Sequence, residues 1–164
     1  NYPLNTNNSN CNVTSIAISE SVLRNFGRGL FNINTNTVVL GDVKISNTII
    51  KNIAGNGGDG IDVRTGTLRS FTAENVTFDT GFGAFLRVQI STDVVFKNCT
   101  FYKISNVDHK DNSGLFRMSA VGTLQVSKCL FVETGVENPT NVSSGNWCKN
   151  SGNRTATSKD ADNY

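Results

Sequence analysis

Phe71-Thr-Ala-Glu-Asn-Val-Thr-Phe78 is followed, 23 residues on, by Val94-Val-Phe-Lys-Asn-Cys-Thr-Phe101, and the two segments align without a gap. Three more copies of the pattern flank them: Ile16-Ala-Ile-Ser-Glu-Ser-Val-Leu23, Val43-Lys-Ile-Ser-Asn-Thr-Ile-Ile50 and Leu124-Gln-Val-Ser-Lys-Cys-Leu-Phe131. The consensus is apolar-x-apolar-x-Asn-x-x-apolar, with starts separated by 27, 28, 23 and 30 residues. A conserved local pattern on a variable period of this length is the signature of a solenoid. Alternation in the first half of each copy describes a strand with one inward face. Asn at the fifth position tolerates the left-handed backbone of a sharp bend, after which the strand resumes.

Stacked coil on coil, the eighth position becomes an interior ladder of Leu23, Ile50, Phe78, Phe101 and Phe131. The fifth becomes Glu20, Asn47, Asn75, Asn98 and Lys128, an asparagine ladder with atypical ends, as terminal solenoid repeats commonly are. With neighbouring strands about 4.8 Å apart, five coils span roughly 24 Å. A second strand recurs in each coil, at Gly29–Ile33, Gly60–Val63, Gly83–Val88 and Gly114–Met118. The predicted fold is an all-β, right-handed parallel β-helix of about five coils over residues 14–135. Residues 1–13 read as a polar N-terminal segment or cap, and 136–164 as an irregular polar tail or an incomplete further coil. A β-sandwich is the rival, but it gives no reason for five gapless copies with Asn in the bend.

Composition agrees: 23 Asn, 17 Thr and 15 Ser with only two Pro suit short strands and tight turns. A net charge of +2 without a basic block excludes nucleic acid as an expected partner. No apolar run approaches the roughly 20 residues that span a bilayer. The first residue is Asn1 rather than Met, so the chain reads as a processed or trimmed piece of a longer protein. Four cysteines and one histidine, with no Cys-x-x-Cys pair, give no zinc signature, and no metal site is expected. Cys99 and Cys129 fall inside apolar strands and read as core-filling thiols, while the disulfide state of Cys11 and Cys148 stays open.

The turn motifs Ile45–Ile50, Glu74–Phe78 and Phe96–Phe101 resemble those of pectate-lyase-like β-helices. More narrowly, the chain resembles a domain of unknown function found in surface lipoproteins of gut Bacteroidetes, over roughly residues 14–135. The resemblance implies a secreted or cell-surface location and contact with polysaccharide. It carries fold far more than activity, because the matching residues are core and turn residues.

Enzymes of the pectate-lyase-like class hold Ca²⁺ on acidic residues and use Arg or Lys as base, so Ca²⁺ enters only under a lyase reading. The nearest acidic group is Asp59 with Asp62, in Gly57-Gly-Asp-Gly-Ile-Asp62. That stretch lacks the paired carboxylates that glycoside hydrolysis requires, and a Gly-rich turn accounts for it. His109 has no placed Ser, Cys or second His to partner it and reads as a loop residue. Thr77 and Thr100 are expected to point outward beside the Asn turn. The most informative constellation is Arg64, Arg87 and Arg117, whose separations of 23 and 30 match those of Asn75, Asn98 and Lys128. The matching intervals predict one outward column on three successive coils, beside Asp62 and Phe85. The leading expectation is therefore a non-catalytic glycan-binding or scaffold module, for an acidic polysaccharide, using Arg64, Arg87, Arg117, Asp62 and Phe85. The alternatives are a polysaccharide lyase or glycoside hydrolase with catalytic residues partly outside this segment, and an adhesin or tail-spike-like structural protein. Oligomeric state is not legible.

Overall fold

A computed structural model describes residues 4–5, 10–53, 60–82, 86–105, 116–118, 122–133, 148–150 and 155–159. In chain order the strands are β1 (Leu4–Asn5), β2 (Cys11–Ser19), β3 (Val22–Phe26), β4 (Phe31–Ile33), β5 (Val38–Ile53), β6 (Ile61–Val63), β7 (Thr67–Phe82) and β8 (Leu86–Val88). They continue as β9 (Asp93–Lys97), β10 (Thr100–Ser105), β11 (Phe116–Met118), β12 (Thr123–Ser127), β13 (Leu130–Val132), β14 (Cys148–Asn150) and β15 (Thr155–Lys159). Every pairing among them is parallel. A short sheet runs β1-β4-β6-β8-β11-β14, and the remaining strands build a long sheet. The chain alternates between the two sheets, which makes it a parallel β-solenoid.

The five repeat segments occupy five consecutive rungs of the long sheet, in the register expected from the alignment: Val22↔Ile49, Ile49↔Thr77, Thr77↔Thr100 and Thr100↔Leu130. About four full turns connect the first segment with the last. The ladder continues beyond the 14–135 boundaries. Cys11 already pairs with Val38, and β14 and β15 extend both sheets past residue 136.

The bends form as the asparagines predict. Asn47, Asn75 and Asn98 have φ of 49°, 55° and 52°, and Glu20 and Lys128 share the conformation at 50° and 52°. Asn75 donates from Nδ2 to Oδ1 of Asn47 at 3.0 Å, so the ladder is hydrogen-bonded between rungs. A second left-handed column lies five residues further along every coil: Asn25, Asn52, Thr80, Lys103 and Glu133, with φ between 48° and 64°. There Asn52 donates to Asn25 at 2.9 Å, and Lys103 faces Glu133 at 3.6 Å. Two bends per rung divide each pass through the long sheet into three stretches. Each non-Gly residue held in this region costs about 1–2 kcal/mol, which the inter-rung bonds partly offset.

Between the bends the interior is aromatic. Phe78, Phe101 and Phe131 stack in one column, with ring centroids 5.1 and 5.0 Å apart and planes within 16° and 6°. Phe96 and Phe116 meet this stack from the facing strands. The sixth repeat position carries a different device. Ser21, Thr48, Cys99 and Cys129 each donate to the carbonyl two residues earlier, at 2.6, 2.7, 3.4 and 3.3 Å. Ser46 O and Ser127 O also accept backbone bonds across the rungs, from Glu20 N–H at 3.2 Å and Asn98 N–H at 3.0 Å, so the small side chains act there as second donors at the bend. A cavity of about 10 Å³ between the sheets is lined by apolar side chains such as Phe31, Ile61 and Phe71, and holds no ligand-sized space.

On the outer surface Asp42 accepts from Arg69 Nε at 2.8 Å, from the Arg69 terminal nitrogen, and from Ser70 Oγ at 2.7 Å. These donors hold its carboxyl at about 2, below its ordinary 3.8. A depressed folded-state value contributes stability above pH 4 that is lost as pH falls toward 2. Urea midpoints followed from pH 5 to pH 2.5 should therefore decline less steeply for Asp42→Asn than for the native chain. Parallel declines would remove Asp42 from the account of acid sensitivity.

Candidate functional site

The face of the short sheet turned away from the core carries Asp62 and Arg87, two of the residues singled out from the sequence. Each of its strands is three residues or fewer, so each presents at most a few outward side chains. Ile61 and Val63 are buried at 1% and 0% exposure, as are Leu86 and Val88 at 0%. Their intervening residues, Asp62 and Arg87, therefore take the opposite face.

Register decides which residues form a column. Asn32 pairs with Asp62, Asp62 with Arg87, Arg87 with Arg117 and Arg117 with Lys149. Arg87 and Arg117 thus occupy equivalent positions, as their interval predicts. Arg64 does not. The residue opposite Arg87 is Asp62, and Arg64 lies two residues further along, where its amide donates to Ile33 O at 2.9 Å. The expected column of three arginines is corrected to Asp62, Arg87, Arg117 and Lys149.

The reason for the displacement is physical. A slip of two residues leaves the inward-outward alternation unchanged, so Val63 fits opposite Leu86 as well as Ile61 does on pattern alone. The interval of 23 belongs to the long sheet, where Phe71 pairs with Val94. In the short sheet Ile61 pairs with Leu86, an interval of 25, because the connecting segments absorb the difference.

Arg64 has another occupation. Its Nε donates to both carboxylate oxygens of Asp62 at 3.0 Å, and Nη2 lies 2.9 Å from Oδ2. The Asp62 side chain is 2% exposed against 41% for Arg64. A carboxylate this buried needs a charged partner, and a guanidinium fork two residues away on the same face supplies one. Asp62 is therefore committed to an ion pair, and the cationic character of the column begins at Arg87. The pairing had a signal in the sequence, since Asp-x-Arg within a strand places both side chains on one face.

Phe85, Asp59, Asp108, His109 and Lys110 lie outside the described residues. Thr77 and Thr100 sit in register on the outer face of the long sheet, both partly exposed, in one column with the exposed Val22, Ile49 and Leu130. Among the described residues no three His, Cys, Asp or Glu side chains are grouped so as to hold a metal ion. Cys99 and Cys129 are buried, reduced thiols, in keeping with their reading as core residues, and Cys11 is partly buried.

Residues 2–80 are similar to a family described as a domain of unknown function, DUF4957. That match takes in Asp62 and Arg64 and stops before Arg87. No curated protein and no solved structure matches the chain.

Proposed function

We propose that the outward face of the short sheet is a non-catalytic recognition surface for an anionic polysaccharide. The observation that carries this reading is the register of Arg87, Arg117 and Lys149 on three successive rungs. Cationic residues repeated in register suit a polyanion running along the solenoid axis, with guanidinium forks matching carboxylate or sulfate oxygens. Asp62, neutralised by Arg64, marks the end of the track. The likeness of the turn motifs to pectate-lyase-like β-helices, and to the Bacteroidetes lipoprotein domain, supports a secreted or cell-surface setting for such contact.

Binding of this kind is weak and salt-sensitive. Exposed pairs contribute about 0–1 kcal/mol each, and screening acts within about 8 Å at physiological ionic strength. Calorimetric titration with a polyuronate and a sulfated glycan at low salt tests it. The native chain is expected to bind at least one of them, and the Arg87→Gln/Arg117→Gln/Lys149→Gln variant to lose at least tenfold in affinity. Equal binding by both proteins, or none by the native chain, would contradict the proposal. Arg64 is left intact because its removal would strand a buried carboxylate.

The same samples should release no unsaturated, ultraviolet-absorbing products from polygalacturonate, with or without Ca²⁺. Asp62 is held in its ion pair, and no three His, Cys, Asp or Glu side chains are grouped to hold a metal ion among the described residues. Product formation abolished by Asp62→Ala would restore the lyase reading.

A further inference from the structure

Cys99 and Cys129 follow one another in the sixth-position column. Their rungs are joined by hydrogen bonds on either side of the pair: Asn98 N–H to Ser127 O at 3.0 Å, and Leu130 N–H to Cys99 O at 2.8 Å. Neighbouring parallel strands stand about 4.8 Å apart. That spacing lies inside the Cα separation of roughly 4.4–6.8 Å that a disulfide spans. The Cys129 sulfur leans toward the earlier rung, accepting from the Cys99 amide at 3.4 Å and lying 3.7 Å from Phe96 O. Both residues are 1% exposed. In the same column Ser21 and Thr48 perform the turn hydrogen bond with oxygen, so that bond alone does not call for sulfur.

We propose that Cys99 and Cys129 form an inter-rung disulfide when the chain folds in the presence of a disulfide oxidant. The bond would staple two rungs whose cysteines are 30 residues apart in sequence. In the reaction the Cys129 thiolate attacks one sulfur of an oxidised small thiol such as glutathione disulfide, releasing one thiol. The Cys99 sulfur then attacks the resulting mixed disulfide at the Cys129 sulfur, loses its proton, and releases the second. Two protons and two electrons leave the cysteines, and one oxidant disulfide becomes two thiols. Because the native pair is buried, exchange belongs to folding, before the two rungs close over it.

The test is refolding of the whole chain from denaturant across a series of glutathione buffers, from fully reduced to fully oxidised. Free thiols are then alkylated, and intact mass, non-reducing peptide maps and melting temperature are measured. The expected result is a species with two fewer alkylated thiols, a single linked peptide joining Cys99 to Cys129, and a melting temperature above that of the reduced chain. Cys129→Ser, which keeps a turn donor, should fold and show no such link. Full alkylation of Cys99 and Cys129 across the series would overturn the proposal. So would linkage of either residue to Cys11 or Cys148, or a crosslinked form that melts no higher than the reduced one.

Discussion

Replacing Phe101 with alanine should cost the solenoid about 3–5 kcal/mol, the usual loss for truncating a buried phenylalanine. The residue is fully buried and sits at the centre of the aromatic column, stacked on Phe78 and Phe131 and touched edge-on by Phe96 and Phe116. Three consecutive rungs contribute those neighbours, so the void cannot close by moving one side chain. Thr100→Ala, one residue away on the outer face, should change stability by no more than about 0.5 kcal/mol. Urea unfolding of both variants checks the contrast. A Phe101→Ala loss below about 1 kcal/mol would mean that the phenylalanine stack does not bear on stability.

Gly41→Ala should be at least as damaging, through the backbone rather than the core. A Cβ at this position would run into the backbone carbonyl of Thr14 on the preceding rung, too close for any side-chain adjustment to relieve. Thr14 and Gly41 fall where the β2–β5 ladder skips a pair, between Val13↔Leu40 and Ser15↔Asp42, so the first rung must part from the second. We expect a loss of about 4 kcal/mol or more, in the range reserved for frank steric or cavity damage. Gly81→Ala is the comparison: there the added carbon stands 3.2 Å from Ile53 O and from Ile104 Cδ1, and the cost should be smaller. Thermal unfolding by circular dichroism ranks the two variants. Equal melting temperatures would contradict the close approach at Gly41.

The parts of the fold legible in the sequence are those whose chemistry leaves one choice. Asn47, Asn75 and Asn98 announce left-handed bends because few other residues tolerate them, and Phe78, Phe101 and Phe131 announce an interior because nothing else hides three rings at one spacing. The second bend column has no uniform residue signal. Asn25 and Asn52 hint at it, five residues after the first bend, but Thr80, Lys103 and Glu133 have no left-handed preference and are held there by the rungs around them. The candidate site was half legible. Arg87 and Arg117 were matched correctly, while Arg64 was displaced by two residues, a slip that alternation cannot detect in strands only three residues long. The ion pair with Asp62 then shows why an arginine stands at that point.

Both the architecture and the proposed binding track rest on one register: parallel rungs that set Asp62, Arg87 and Arg117 in line. Interstrand nuclear Overhauser contacts in an isotopically labelled chain measure it directly. Backbone contacts are expected between Asp62 and Arg87 and between Arg87 and Arg117, with Thr77–Thr100 and Thr100–Leu130 contacts running in the same sense. An antiparallel contact pattern, or Arg64 found opposite Arg87, would contradict the account.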